Sequence, residues 1–140
     1  MTTPTITGGC LCGHCRYEAA AQPTRTTVCH CRSCRLAAGA QSVAWMTVAS
    51  ESFRWTQGLP QTHRSSADVT RTFCGTCGCS LTYVHDDYRG TLDITLATVD
   101  QANEYPPAHH TWTVDRLSWD KPPAGVPAYA RSKADGEPGG

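Results

Sequence analysis

Nine cysteines lie in a chain of 140 residues, and all nine fall into three tight groups. The groups read Cys10-Leu11-Cys12-Gly13-His14-Cys15, Cys29-His30-Cys31-Arg32-Ser33-Cys34 and Cys74-Gly75-Thr76-Cys77-Gly78-Cys79. The first two share the spacing C-x-C-x-x-C, and the third reverses it. On turn backbone such spacing gathers sulfurs within a few ångströms of one another. A soft divalent ion requires that arrangement, since zinc takes thiolates at about 2.3 Å in a tetrahedron. A disulfide framework fits less well, because nine is odd and cannot pair completely within one chain. Residues 1–9 carry neither a basic segment nor an apolar run of the kind that directs export. The expected compartment is the cytoplasm, where clustered thiols point to metal or redox chemistry.

Two cysteine pairs far apart in sequence are the usual recipe for a closed structural zinc site. Cys10 and Cys12 offer one pair, and Cys74 and Cys77 the other. Joining them would pin the N-terminal segment to the middle of the chain. Structural zinc in finger peptides contributes about 10–16 kcal/mol, more than most other single terms in a fold. Cys29, Cys31 and Cys34 then stand alone. Three thiolates with no obvious fourth ligand leave an open position, the mark of a catalytic zinc that can polarise a carbonyl. The competing reading closes this site with His30, His109 or His110, although His30 is poorly placed to share an ion with its own neighbours. Cys15 and Cys79 each open a strand, where a small buried hydrophobe is ordinary. The alternative moves one of them into a metal site.

The elements that must position these groups are short strands. Strand character is expected at residues 15–20, 42–48, 52–55, 70–73, 80–84 and 92–96, the last alternating most cleanly. Residues 35–40 predict one helical turn stopped at Gly39, and Gly58-Leu59-Pro60 marks a turn. After Val99, Pro106-Pro107 and the three prolines between Asp120 and Pro127 predict extended or looping chain. The aromatic-bearing stretch 111–119 is expected to pack back on the domain. Short strands at near-regular spacing predict a mainly β sandwich or barrel with little helix.

Length predicts one domain, residues 1–130, followed by a polar, disordered tail at 131–140. Twelve basic side chains balance twelve acidic ones. Two loaded thiolate sites would take the net charge to about −3. That balance, without any Lys/Arg run, argues against nucleic acid as a partner. No run approaches the ~18 consecutive apolar residues of a membrane span.

At these motifs the chain resembles the glutathione-dependent formaldehyde-activating (GFA) family, which includes the centromere protein V-type zinc-binding domain. The resemblance rests on Gly8-Gly9-Cys10-Leu11-Cys12-Gly13, on Cys29-His30-Cys31-Arg32-Ser33-Cys34 with Gly39, and on Phe73-Cys74-Gly75-Thr76-Cys77-Gly78. It continues more weakly through Leu92–Asp100, His110-x-Trp112, Trp119 and Gly125-Val126-Pro127. It implies a zinc-bearing β architecture of the Mss-four-like kind and two zinc ions per chain. Cys10, Cys12, Cys74 and Cys77 would be the structural ligands, and Cys29, Cys31 and Cys34 the catalytic ones. The implied activity is of the carbon–sulfur lyase type, condensing glutathione with formaldehyde to S-hydroxymethylglutathione. The partners would be a small-molecule thiol and a small aldehyde. Position 15 is usually aliphatic in the family and position 79 is variable, so neither departure touches an expected ligand.

Around that chemistry, Arg32 and Arg35 flank the ligands as candidates for holding glutathione carboxylates, the alternative being solvated charges. His109 or His110 is a candidate proton shuttle, and Trp112 and Trp119 are expected in the core. Two further readings remain open: a zinc-stabilised binding module and a zinc-thiolate redox sensor.

Overall fold

Stretches of about five residues that alternate small or branched side chains with polar ones become strands in the computed structural model, which describes residues 2–132. The strands are β1 Thr5–Gly9, β2 Arg16–Ala20, β3 Arg25–Cys29, β4 Val43–Ala49 and β5 Phe53–Gln57. They continue with β6 Gln61–Ser66, β7 Val69–Phe73, β8 Ser80–His85, β9 Thr91–Thr95 and β10 His109–Thr111. One α-helix, α1 Arg32–Ala38, follows β3, and short 3-10 turns fill several connections. The mainly β expectation is met. Most of the expected tail, residues 133–140, lies outside the described residues. No helix among the described residues is long and apolar enough to cross a membrane.

The strands form two sheets. The smaller has the order β1-β2-β5 and is antiparallel throughout. The larger has the order β10-β3-β4-β9-β8-β7-β6, antiparallel except for the parallel pair β10 and β3. Ile6, Tyr17 and Ala19 of the small sheet form one buried cluster with Met46, Val48, Leu81 and Ile94 of the large one. The Tyr17 ring lies 5.3 Å from that of Phe53 and 6.0 Å from that of Trp55, and its hydroxyl pairs with Thr98 Oγ1 at 2.8 Å. Burying apolar area at about 25 cal/mol per Å² makes this cluster a main source of stability.

Strand β4 is buried on both faces. Met46 and Val48 enter the core between the sheets, while Val43 and Trp45 join a second cluster with Cys29 and Cys34 on the opposite face. Because side chains alternate along a strand, this second face has its own surface, and the candidate site is built on it.

Gly8 shows how closely β1 approaches its neighbours. A Cβ at this position would meet the Tyr17 hydroxyl and the Thr98 carbonyl inside contact distance. Gly8→Ala is therefore expected to destabilise the domain by about 1–3 kcal/mol through overpacking. Calorimetry should show a melting temperature lower by roughly 4–12 °C with metal content unchanged; an unchanged melting temperature would contradict this packing.

Trp119 departs from the core expectation, being 68% exposed. The chain turns just there, with the Asp120 N–H donating to the Leu117 carbonyl. The indole consequently borders a surface depression shared with Arg35, Leu36 and Leu117.

Candidate metal centres and the adjoining cavity

The first and third cysteine groups fold into matching turns. In the first, the Cys10 N–H donates to the Cys15 carbonyl at 3.1 Å; in the third, the Cys74 N–H donates to the Cys79 carbonyl at 2.9 Å. Each turn passes through a glycine, Gly13 and Gly78, at φ 81°. A side chain is strained in that left-handed region, which is why glycine stands there. Cys15 and Cys79 therefore close the two turns through their backbones. Their side chains pack: Cys15 is fully buried and Cys79 lies against the core cluster. Burial pushes the Cys15 thiol up to about 12, so it stays neutral and behaves as a small apolar group.

The two turns bring the sulfurs of Cys10, Cys12, Cys74 and Cys77 within 4.8 Å of one another. Cys10 Sγ lies 3.7 Å from Cys12 Sγ, which lies 3.8 Å from Cys74 Sγ. A tetrahedron with 2.3 Å metal–sulfur bonds has edges of about 3.8 Å. The two edges match that figure, and the four sulfurs lie close enough together to hold one tetrahedral ion. Backbone donors add to the fit: the Cys15 N–H points at Cys10 Sγ, and the Cys77 and Thr76 N–H groups point at Cys74 Sγ. The Cys77 N–H foremost, then that of Thr76, brings the Cys74 thiol down to about 6. Thiolate is the ligand form, so these donors favour binding.

Cys29, Cys31 and Cys34 form the other group, with their sulfurs also within 4.8 Å of one another. Cys29 ends β3, and Cys31 caps α1 through its sulfur, which accepts the Cys34 N–H at 3.3 Å. This cap starts the helix at Arg32, three residues earlier than the small-residue run predicts, and sets Cys31 and Cys34 on one turn. Gly39 ends the helix as expected, its N–H returning to the Arg35 carbonyl. The Cys29 thiol, then that of Cys34, draws the Cys31 pKa far down. No histidine or carboxylate belongs to this group among the described residues.

The three cysteines line a cavity of about 970 Å³. Its wall is the second face of the large sheet, read across strands in register. Thr27 of β3 lies opposite Trp45 of β4, Thr47 of β4 opposite Asp93 of β9, Asp93 opposite Tyr83 of β8, and Tyr83 opposite Arg71 of β7. Trp112 forms part of the wall beside the sulfurs. It holds φ 55°, the one positive φ on a non-glycine residue among those described. A bulky residue in that region is strained, and such strain gathers at functional sites.

Residues 5–115 match the family described as glutathione-dependent formaldehyde-activating enzyme. The chain belongs to this family. A crystal structure of a Rhodobacter sphaeroides protein, a Northeast Structural Genomics target, is similar to it with a TM-score of 0.59 at 17% identity. That likeness covers 72% of this chain and 96% of the other, and it bears on the fold alone. No curated protein matches the chain.

Within this GFA-family chain the flanking arginines part company. Arg32 lines the cavity, whereas Arg35 borders the depression near Trp119 instead. Arg71, which spacing did not single out, is the arginine that reaches the thiols. Its Nη2 lies 3.9 Å from Cys34 Sγ, its Nε donates to Ser65 Oγ at 3.0 Å, and its guanidinium sits 5.0 Å over the Tyr83 ring. Asp93 was also missed; it accepts from Thr47 Oγ1, and burial raises its pKa above the ordinary carboxylate value.

The histidines near the three-thiol group in sequence and on β10 bond elsewhere. His30 is buried, with Nε2 2.8 Å from His110 Nδ1 and Nδ1 3.5 Å from Asp120 Oδ2. Its backbone N–H donates to the Thr111 carbonyl. Burial lowers the pKa of both rings. His109 packs edge-on against Tyr129, ring centres 5.7 Å apart.

Proposed function

We propose that the protein is a zinc-dependent enzyme of the carbon–sulfur lyase type that joins a thiol such as glutathione to formaldehyde or another small aldehyde. One observation carries this reading: three convergent thiols, without a fourth ligand in their group among the described residues, face a cavity large enough for both reactants. In it, Cys10, Cys12, Cys74 and Cys77 hold a structural zinc ion, and Cys29, Cys31 and Cys34 hold a catalytic one. Zinc bound by those three thiolates supplies Lewis acidity toward a carbonyl oxygen or a substrate sulfur.

The reaction itself is an addition without net redox change. The carbon–sulfur bond forms as the carbonyl π pair moves to oxygen, and the proton leaving the thiol ends on that oxygen. Residues of the chain supply the surroundings. Arg32 lines the cavity and places positive charge near where negative charge develops. Trp45, Tyr83 and Trp112 pack beside the thiols and line the cavity with aromatic surface, which thins the water around the reacting atoms and strengthens those charge interactions. The thiolate-rich design suits a reducing compartment, and we assign the protein to the cytoplasm. A binding module or a redox sensor has no need of a walled cavity beside the three thiols.

The test is exchange NMR on glutathione mixed with ¹³C-formaldehyde. The reading expects adduct formation to accelerate in proportion to zinc-loaded protein. Absence of acceleration with every thiol and aldehyde pair tried would overturn it.

A further inference from the structure

The contacts of Arg71 set it apart from the paired arginines on the surface. Arg16, Arg54, Arg64 and Arg89 each pair with a carboxylate. Arg71 is partly buried in the cavity wall, and no carboxylate lies within ion-pair distance of it among the described residues. Its position is nevertheless fixed at three points: Nε on Ser65 Oγ, Nη2 near Cys34 Sγ, and the guanidinium plane over Tyr83. Those contacts occupy Nε and one side of Nη2. The Nη1 hydrogens and the second Nη2 hydrogen have no partner among the described residues. A clamped guanidinium with its end-on fork uncommitted is the arrangement that binds a carboxylate in two places at once.

We propose that Arg71 forms the anion-binding subsite of this cavity and takes a carboxylate of the thiol substrate. The class of ligand is a thiol bearing a carboxylate, favoured over a neutral thiol of similar size. This rests on the proposed reaction and deepens it by naming what selects the thiol. Charge gives a second reason. A zinc ion held by three thiolates carries a net negative charge, which repels an anionic thiol unless a cation stands beside it. Arg71 is that cation, fixed against one of the thiols themselves.

The test is calorimetric titration of the zinc-loaded protein with S-methylglutathione, which keeps both carboxylates and has no free thiol to react. Arg71→Met and Arg71→Gln are each expected to weaken binding about tenfold or more, as truncating one member of a desolvated charge pair does. Arg54→Met, which removes the same charge at an exposed position of β5, is expected to bind as the wild type does. A folded Arg71 variant that loses less than tenfold overturns the proposal, as does a wild type that fails to bind the ligand. Nothing turns over in this titration, so its outcome is separate from whether the addition reaction is catalysed.

Discussion

Cys74→Ser is expected to lower the melting temperature by about 15 °C or more, or to remove the cooperative transition altogether. Cys74 is the most deeply placed of the four outer thiols, fully buried within the core cluster and 3.8 Å from Cys12 across the two turns. It is the sulfur that ties the turn after β1 to the turn after β7. Structural zinc contributes about 10–16 kcal/mol in small domains, against a total stability of about 5–15 kcal/mol for a typical domain. Losing even a third of that contribution costs about 4 kcal/mol, and each kcal/mol shifts the melting temperature by about 4 °C at this size. Serine can still accept from the Thr76 and Cys77 N–H groups, so the expected loss is that of the thiolate ligand. Calorimetry with metal analysis checks the result. A transition within about 5 °C of the wild type would mean that the four-thiol site does not hold the two sheets together.

Cys31→Ser should do the reverse, removing function while leaving the fold. Cys31 caps α1 by accepting the Cys34 N–H, and serine is among the preferred residues at that position. The helix therefore keeps its start. The three-thiol group, however, falls to two thiolates and loses its grip on the ion. Lewis-acid assistance of several kcal/mol corresponds to about 10²–10³-fold in rate. Adduct formation should fall by about 10²-fold or more, zinc content should drop by one ion per chain, and the melting temperature should stay within about 5 °C. If the variant unfolds together with its metal loss, the middle site is structural. If it keeps its rate without that ion, the thiols do not carry the chemistry.

These two substitutions contrast because the cysteine groups were legible in the sequence and their surroundings were only partly so. Spacing of two or three residues on a turn fixes which sulfurs meet locally, and the distant pairing of Cys10/Cys12 with Cys74/Cys77 follows from ligand count. The matching turns of the first and third groups have a backbone cause that spacing does not reveal: Cys15 and Cys79 supply the carbonyls that close each turn.

The cavity wall was hidden for a different reason. Arg71, Tyr83, Asp93 and Thr47 come from β7, β8, β9 and β4, and only the cross-strand register places them on one face. The signal available in the sequence was alternation: Trp45 and Thr47 of β4 and Asp93 of β9 line the cavity, while Met46, Val48 and Ile94 between or beside them face the core. Strand β6 went unread because all six of its residues are exposed, leaving no apolar period to detect. Strand β10 is three residues long and follows two prolines, and its parallel pairing with β3 depends on chain that lies far away in sequence.

The central claim is that nine cysteines divide into a closed four-thiol site, an open three-thiol site and two packing residues. Anomalous diffraction from crystals of the zinc-loaded protein at the zinc absorption edge tests that division most directly. Two peaks per chain are predicted, one enclosed by Cys10, Cys12, Cys74 and Cys77, the other touching Cys29, Cys31 and Cys34 and no further protein side chain. A single peak, or a second ion closed by Cys15, Cys79 or a histidine, would contradict it.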